Sequence, residues 1–233
     1  MRTKALFVAT LLALAPLPSV AQDFNVGLAA YQRGDYSTAL DEWKPLAEQG
    51  YARAQSNLGV MYEQGHGVLQ DYAEAVRWYR AGAEQGYARA QGNLGFMYAK
   101  GQGVAQDYAE AVRWYLMAAD QGDAPAQNNL GFMYANGQGV LQDFAEAVRW
   151  YRLAADQGNS PAQNNLGAMY TNGEGVAQNY LLAHMWANIA AANGSEKAVE
   201  ARERLDRMMN STDIAEAQRR ARVCMESSYQ DCK

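Results

Sequence analysis

Residues 54–79 read AQSNLGVMYEQGHGVLQDYAEAVRWY, and close variants of this stretch begin at Ala90, Ala126 and Ala162. Successive starts lie 36 residues apart. A fixed period of this size marks an array of one stacking unit, and such an array works through an extended surface rather than one deep cleft.

Within residues 52–87 the apolar positions Ala52, Ala54, Leu58, Met61 and Tyr62 follow helical spacing, and Ala75, Trp78, Tyr79, Gly82 and Ala83 do so again. The unit is therefore a helical hairpin whose connection is the GHGVLQ stretch of residues 65–70. The first glycine of that loop is expected to end a helix at positive φ, and the second to relax the turn. Asp71, Asp107 and Asp143 stand three residues before Glu74, Glu110 and Glu146. This spacing predicts a capping box, the Asp accepting a backbone N–H while the Glu reaches back. Gly86, Gly122 and Gly158 are expected as left-handed terminators, and Pro125 and Pro161 in first turns, where a missing N–H costs little.

Gly59, Gly95, Gly131 and Gly167 fall inside helices, where glycine costs about 0.5–1 kcal/mol relative to alanine. Their recurrence predicts close helix approach. Trp78, Trp114, Trp150 and Trp186 read as core, and the repeated Asn57, Asn93, Asn129 and Asn165 as hydrogen bonds between repeats.

The ends differ from the middle. Residues 22–51 read as a shorter hairpin lacking the loop insertion, and residues 52–195 as four repeats (52–87, 88–123, 124–159, 160–195). Residues 196–233 read as capping helices, one placing Ala198, Ala201, Leu205 and Met208 on a face and the other Ile214, Ala217, Ala221 and Cys224.

Residues 1–21 combine Arg2 and Lys4, an apolar run over residues 5–15, and Ser19, Val20 and Ala21 at a cleavable junction. That is the pattern of a secretory signal peptide. The expected location is the periplasm, with release from the cell as the alternative, and no membrane insertion after cleavage. The formal charge is −5, and loss of Arg2 and Lys4 makes it −7. An acidic chain argues against nucleic acid or anionic lipid and for a neutral or basic partner. Cys224 and Cys232 lie in the tail, and in an oxidising compartment they read as a disulfide, with free thiols as the alternative.

The pattern A-x-A-Q-x-N-L-G-x-M-Y-x-x-G-x-G-V followed by D-Y-x-x-A-x-x-W-Y-x-x-A-A-x-Q-G resembles the Sel-one-like repeat (SLR), a relative of the tetratricopeptide repeat. The resemblance implies an all-α, right-handed α-solenoid of two-helix repeats, working as a non-enzymatic scaffold for a protein or peptide partner. In tetratricopeptide arrays the first helix of each unit lines a concave groove. Carried over, its positions include Arg53, Val60, Glu63 and Gln64, then Arg89, Phe96 and Lys100, then Pro125, Asn128, Phe132 and Asn136, then Pro161, Asn164, Ala168, Thr171 and Asn172.

The four copies disagree at these positions. Residues that keep a stack regular must repeat, whereas a residue facing a partner need not, so the groove is expected where copies diverge. Val60, Phe96, Phe132 and Ala168 form its apolar floor, flanked by Gln64, Lys100, Asn128, Asn136, Asn164 and Asn172 as hydrogen-bonding groups.

Two other function classes compete. An exported groove rich in Asn and aromatics also suits a carbohydrate-binding factor in envelope assembly. Some cysteine-rich SLR relatives are linked to penicillin binding, but no serine here has a lysine three residues on, and no cysteine pair lies within the repeats. His66 and His184 have no H-E-x-x-H pattern or cysteine cluster around them, and the Gly-x-Gly loops lack the strand and Lys of a phosphate cradle. No catalytic residue, metal or cofactor is expected.

Overall fold

The computed structural model describes residues 23–232; the expected signal peptide, residues 1–21, lies outside the described residues. Among them are twelve helices and no strand. A first hairpin, α1 (Phe24–Gln32) and α2 (Tyr36–Glu48), is followed by α3 (Ala52–Gln64) with α4 (Tyr72–Glu84) and α5 (Ala88–Lys100) with α6 (Tyr108–Ala119). Next come α7 (Ala124–Asn136) with α8 (Phe144–Ala155) and α9 (Ser160–Asn172) with α10 (Tyr180–Ala192), then α11 (Glu196–Asp206) and α12 (Ser211–Glu226). The second helix of each hairpin packs on the first helix of the next, which makes the protein an all-α solenoid.

The inter-helix loop folds from local chemistry. Gly65, Gly101, Gly137 and Gly173 end their helices at φ of 71°, 68°, 65° and 73°, a region glycine enters without steric cost. Behind Gly65 the Gln70 amide donates to the Glu63 carbonyl at 2.8 Å, and the Asp71 N–H donates to the Tyr62 carbonyl at 2.9 Å. The second glycine does more than relax the turn. A Cβ on Gly103 would stand 2.2 Å from the Tyr72 carbonyl oxygen, so this glycine lets the loop lie on the start of the preceding repeat's second helix.

Only half of the expected capping box forms. Asp71 accepts from the N–H groups of Ala73 and Glu74, but its own N–H is committed to Tyr62. Glu74 therefore turns outward: it accepts from Arg77 and, at 2.8 Å, from Trp78 Nε1. Glu110 does the same with Arg113 and Trp114. The proline and terminator expectations hold, with Pro125 and Pro161 in first turns and Gly86, Gly122 and Gly158 at positive φ.

The core is a chain of clusters that straddle repeat boundaries. Trp78 packs with Trp43, Leu58 and Met61; Trp114 with Tyr79 and Leu94; Trp150 with Tyr115 and Leu130. Each tryptophan thus ties its repeat to the one before it. Leu58, Leu94, Leu130 and Leu166 are fully buried, a contribution of about 1.5–3 kcal/mol each.

The regular polar link between repeats is a glutamine, with the expected asparagine adding to it in part of the array. Buried Gln91 donates to the Ala83 carbonyl at 3.2 Å and accepts from Gln121 at 2.8 Å; Gln127 does so with Ala119 (3.1 Å) and Gln157 (2.8 Å). Gln55 and Gln163 occupy the equivalent places, the latter accepting from Asn193. The asparagine series crosses repeats at two places: Asn165 donates to Asn128 at 3.0 Å, and Asn129 bonds the Tyr115 hydroxyl of the repeat before. The glutamine can reach the preceding helix's last carbonyls, which a helix leaves without internal partners.

At the C-terminal end, α11 and α12 both pack on α10, through Ala198 and Leu205 and through Ala217, Ala221 and Cys224. Met208 falls past the end of α11 and is 56 % exposed, not part of that face. His184 is fully buried: the Asn188 amide donates to Nδ1 at 2.8 Å, so the Nε2 proton points to Asp206 Oδ1, also at 2.8 Å. A disulfide joins Cys224 to Cys232, with Cα atoms 4.6 Å apart. The loop it closes carries Tyr229 at φ 68°, beside Gly158 and within 2.9 Å of the Asn193 amide.

Candidate functional site

The first helices α3, α5, α7 and α9 carry the groove positions in register, one rung per repeat. The apolar floor is graded along the row. Val60 and Phe96 are half-buried and pack into the clusters between repeats, while Ala168 is exposed and Phe132 is 48 % exposed and belongs to no cluster. Packing between repeats therefore accounts for Phe96 in part, while Phe132 is left about half exposed.

Several flanking amides are already engaged. Asn136 donates to the Phe132 carbonyl at 2.8 Å, Asn172 to Glu174 at 3.3 Å, and Asn128 accepts from Asn165. Each keeps free hydrogen-bonding capacity, since a carboxamide offers two N–H donors and two acceptor lone pairs. Lys100 extends over the Phe96 ring, Nζ 5.7 Å from the centroid, and Arg53 lies over Phe24 at 4.5 Å.

The two ends of the row differ. At the N-terminal end the Tyr31 hydroxyl lies 3.0 Å from both Gln64 Oε1 and His66 Nδ1, and His66 stacks on Tyr36 with centroids 4.1 Å apart. Burial, with Tyr36 and Glu63 nearby, raises the Tyr31 pKa. His66, read from sequence as a loop residue, is thus the pin between the first hairpin and the first full repeat.

At the C-terminal end a cavity of about 620 Å³ opens between α9 and α11. Asn164, Ala168, Thr171 and Asn172 line one side, and Lys197, Glu200, Arg204 and Met208 line the other. Adding 36 to 164, 168 and 172 gives 200, 204 and 208, so α11 continues the row as a fifth rung. Sequence reasoning missed this because α11 keeps the repeat's spacing without its motif. The cap that was expected to end the stack also extends the row of candidate groove positions.

Among the described residues no group of three or more His, Cys, Asp or Glu could hold a metal ion, and no helix is long and apolar enough to cross a membrane. His184, Asp206 and Asn188 are taken up in holding α11 on α10.

The Sel1 repeat family matches the chain four times, over residues 52–87, 88–123, 124–159 and 160–195. Similar solved structures include c5321, a protective antigen of uropathogenic Escherichia coli with an SLR fold, at 35 % identity and TM-score 0.68 over 90 % of this chain. This chain spans 50 % of that one. A Sel1 repeat protein from Oxalobacter formigenes aligns at 31 % identity and TM-score 0.71, covering 90 % of this chain and 85 % of its own. A protein from Klebsiella pneumoniae subsp. pneumoniae, at 23 % identity and TM-score 0.55 over 78 % of this chain and 91 % of its own, shares the fold. No curated protein matches the chain.

Proposed function

The chain belongs to the Sel1 repeat family, whose members are generally protein-interaction scaffolds, and from that premise we propose that it holds a partner peptide or helix along the row from Val60 through Phe96 and Phe132 to Ala168. The observation that carries this reading is Phe132. In a helix whose Leu130 and Met133 are buried, a large apolar ring stands 48 % exposed on the face where the four copies differ. Burying such a ring against a partner is the kind of contact that dominates interface energy.

Export is part of the reading. It is supported by the pattern of residues 1–21 and by the Cys224–Cys232 disulfide, since such bonds persist in oxidising compartments. The work is non-enzymatic binding in the cell envelope.

The test is capture of envelope partners by full-length wild type, by a Phe96→Ala, Phe132→Ala double variant and by Phe132→Arg. Wild type should retain a partner that both folded variants lose. Equal recovery by all three would overturn the groove. Fractionation tests the location: protein found wholly in the cytoplasm, with residues 1–21 still attached, would refute export.

A further inference from the structure

The groove has the opposite charge balance to the chain. Over the whole sequence 25 acidic residues outnumber 20 basic ones. Along the groove positions, extended by one period onto α11, the basic residues are Arg53, Arg89, Lys100, Lys197, Arg204 and Arg207, and the acidic ones are Glu63 and Glu200. Six cations thus face two carboxylates, and Glu63 accepts a hydrogen bond from the Tyr79 hydroxyl.

The outer row behaves differently. Arg77, Arg113 and Arg149 pair with Glu74, Glu110 and Glu146, and Arg219 and Arg220 with Glu216. Among the described residues none of the six groove cations makes an ion pair. These five arginines are neutralised within their own helices. Arg80 and Arg152 bond tyrosine hydroxyls, and of the groove cations Arg89 feels Asp123, so Lys197 and Arg204 at the cavity are the ones that matter for a partner.

The cavity between α9 and α11 concentrates this pattern. Lys197, Glu200 and Arg204 stand on one wall, two cations to one carboxylate, with Asn164 and Asn172 on the other, and Ala168, Leu205 and Met208 supply apolar surface. We propose that this cavity anchors an acidic segment of a protein partner, in which a carboxylate side chain meets Lys197 and Arg204 while a neighbouring apolar side chain enters between Ala168 and Leu205. The proposal rests on the groove reading above and names the chemistry that the groove selects.

Charge complementarity carries the choice of occupant. The net charge of the chain alone points to a neutral or basic partner, but a partner is read by the surface it touches. A guanidinium offers a carboxylate two parallel N–H donors, and the asparagine amides suit the peptide backbone beside it. Nucleic acid, the other polyanion, meets net repulsion from the acidic remainder of the chain, and the cavity presents no aromatic ring on which a base could stack.

The experiment measures binding of the full chain to fluorescein-labelled peptides alternating Glu with Leu, Gln with Leu, or Lys with Leu. The proteins are wild type, Lys197→Glu with Arg204→Glu, the conservative Lys197→Arg with Arg204→Lys, Phe132→Arg, and Arg219→Glu as an outer-face control. Wild type should bind the Glu peptide most tightly. Charge reversal should weaken that binding on the order of tenfold, added salt should weaken it too, and the conservative pair and the control should bind as wild type does. Melting curves confirm that each variant is folded, and both reversed positions are exposed.

If Phe132→Arg lowers binding of the Leu-containing peptides but charge reversal changes nothing, the anchor is wrong and the groove stands. If neither change lowers binding, or wild type binds no peptide, both fail. Preference for the Lys peptide, or displacement of the Glu peptide by equimolar single-stranded DNA, would also overturn the acidic-segment assignment.

Discussion

Gly131 of α7 meets the ring of Tyr151 of α8 so closely that a Cβ on the glycine would stand 2.8 Å from two ring carbons. The same pairing joins Gly95 to Tyr115 and Gly59 to Tyr79. The helical glycine is therefore a seat for an aromatic ring, and the hairpin closes because the backbone of one helix is bare where the other is bulky.

Gly131→Ala should consequently destabilise, although alanine is the better helix former. Two opposed effects are in play: a propensity gain of about 0.5–1 kcal/mol and an overpacking cost of about 1–3 kcal/mol. At Gly131 the nearest atoms belong to a buried ring, so overpacking wins. At Gly167 the nearest atom is 3.4 Å away, ordinary contact distance, so Gly167→Ala should be neutral or stabilising. Urea unfolding of the two variants against wild type checks the contrast, and equal shifts for both would refute it.

The glutamine links give a second expectation. Gln127→Ala removes the donor to Ala119 and the acceptor of Gln157 in one step, two bonds at about 0.5–1.5 kcal/mol each, while the Ala119 carbonyl keeps the Gly122 N–H. The cost should be about 1–3 kcal/mol. Because repeat arrays are coupled by their interfaces, the variant should also unfold less cooperatively, seen as a lower urea m-value. Asn93→Ala, in the asparagine series first read as the inter-repeat link, should cost less than Gln127→Ala.

The hairpins, their caps and the tryptophan core were legible because packing against an identical neighbour forces identical residues at a fixed period. Which invariant residue does what was less legible. Gln91 and Asn93 repeat equally well, and only their placement shows that the first reaches across repeats. The His184–Asp206 contact joins residues 22 apart with no motif between them, and the fifth rung on α11 keeps the period while retaining, of the motif, only the buried alanine at Ala198. Period is imposed by stacking and survives at the end of the array; sequence identity is imposed by having the same neighbour on both sides and does not.

Asp123 caps α7 by accepting from the Ala126 N–H at 3.0 Å, and burial raises its pKa against the opposing influence of that bond and of Arg89. With the folded value above the unfolded one, the folded state holds its proton more tightly. The favourable contribution is full below the unfolded value and is lost as pH rises through the raised one, so at neutral pH a partly buried charge is a burden. Asn159 does the same capping one repeat later without a charge, at 3.0 Å from the Ala162 nitrogen. Asp123→Asn should therefore stabilise at neutral pH, have little effect in acid, and flatten the stability profile just above the ordinary aspartate range. Thermal melts across that range check it, and a variant less stable than wild type at neutral pH would sink the argument.

The tail supplies the last expectation. The Cys224–Cys232 bond closes a loop with a sequence separation of 8, and within it Ser228 and Tyr229 hold positive φ of 52° and 68°. Left-handed backbone at residues other than glycine costs of order 1–3 kcal/mol each and persists only where its surroundings enforce it. Here the enforcement is the disulfide together with the Tyr229 hydroxyl at Asn193 and its ring at Gly158. Cys232→Ser removes the covalent part while Cys224 stays buried in the last cluster. Global stability should fall by no more than about 2 kcal/mol, since so short a loop sits at the low end of what a cross-link contributes. The local effect should be larger: amide hydrogen exchange should accelerate over residues 226–232 and leave α9 and α10 protected. Exchange that stays slow in the tail of the variant would show that Tyr229 holds the hook without the disulfide.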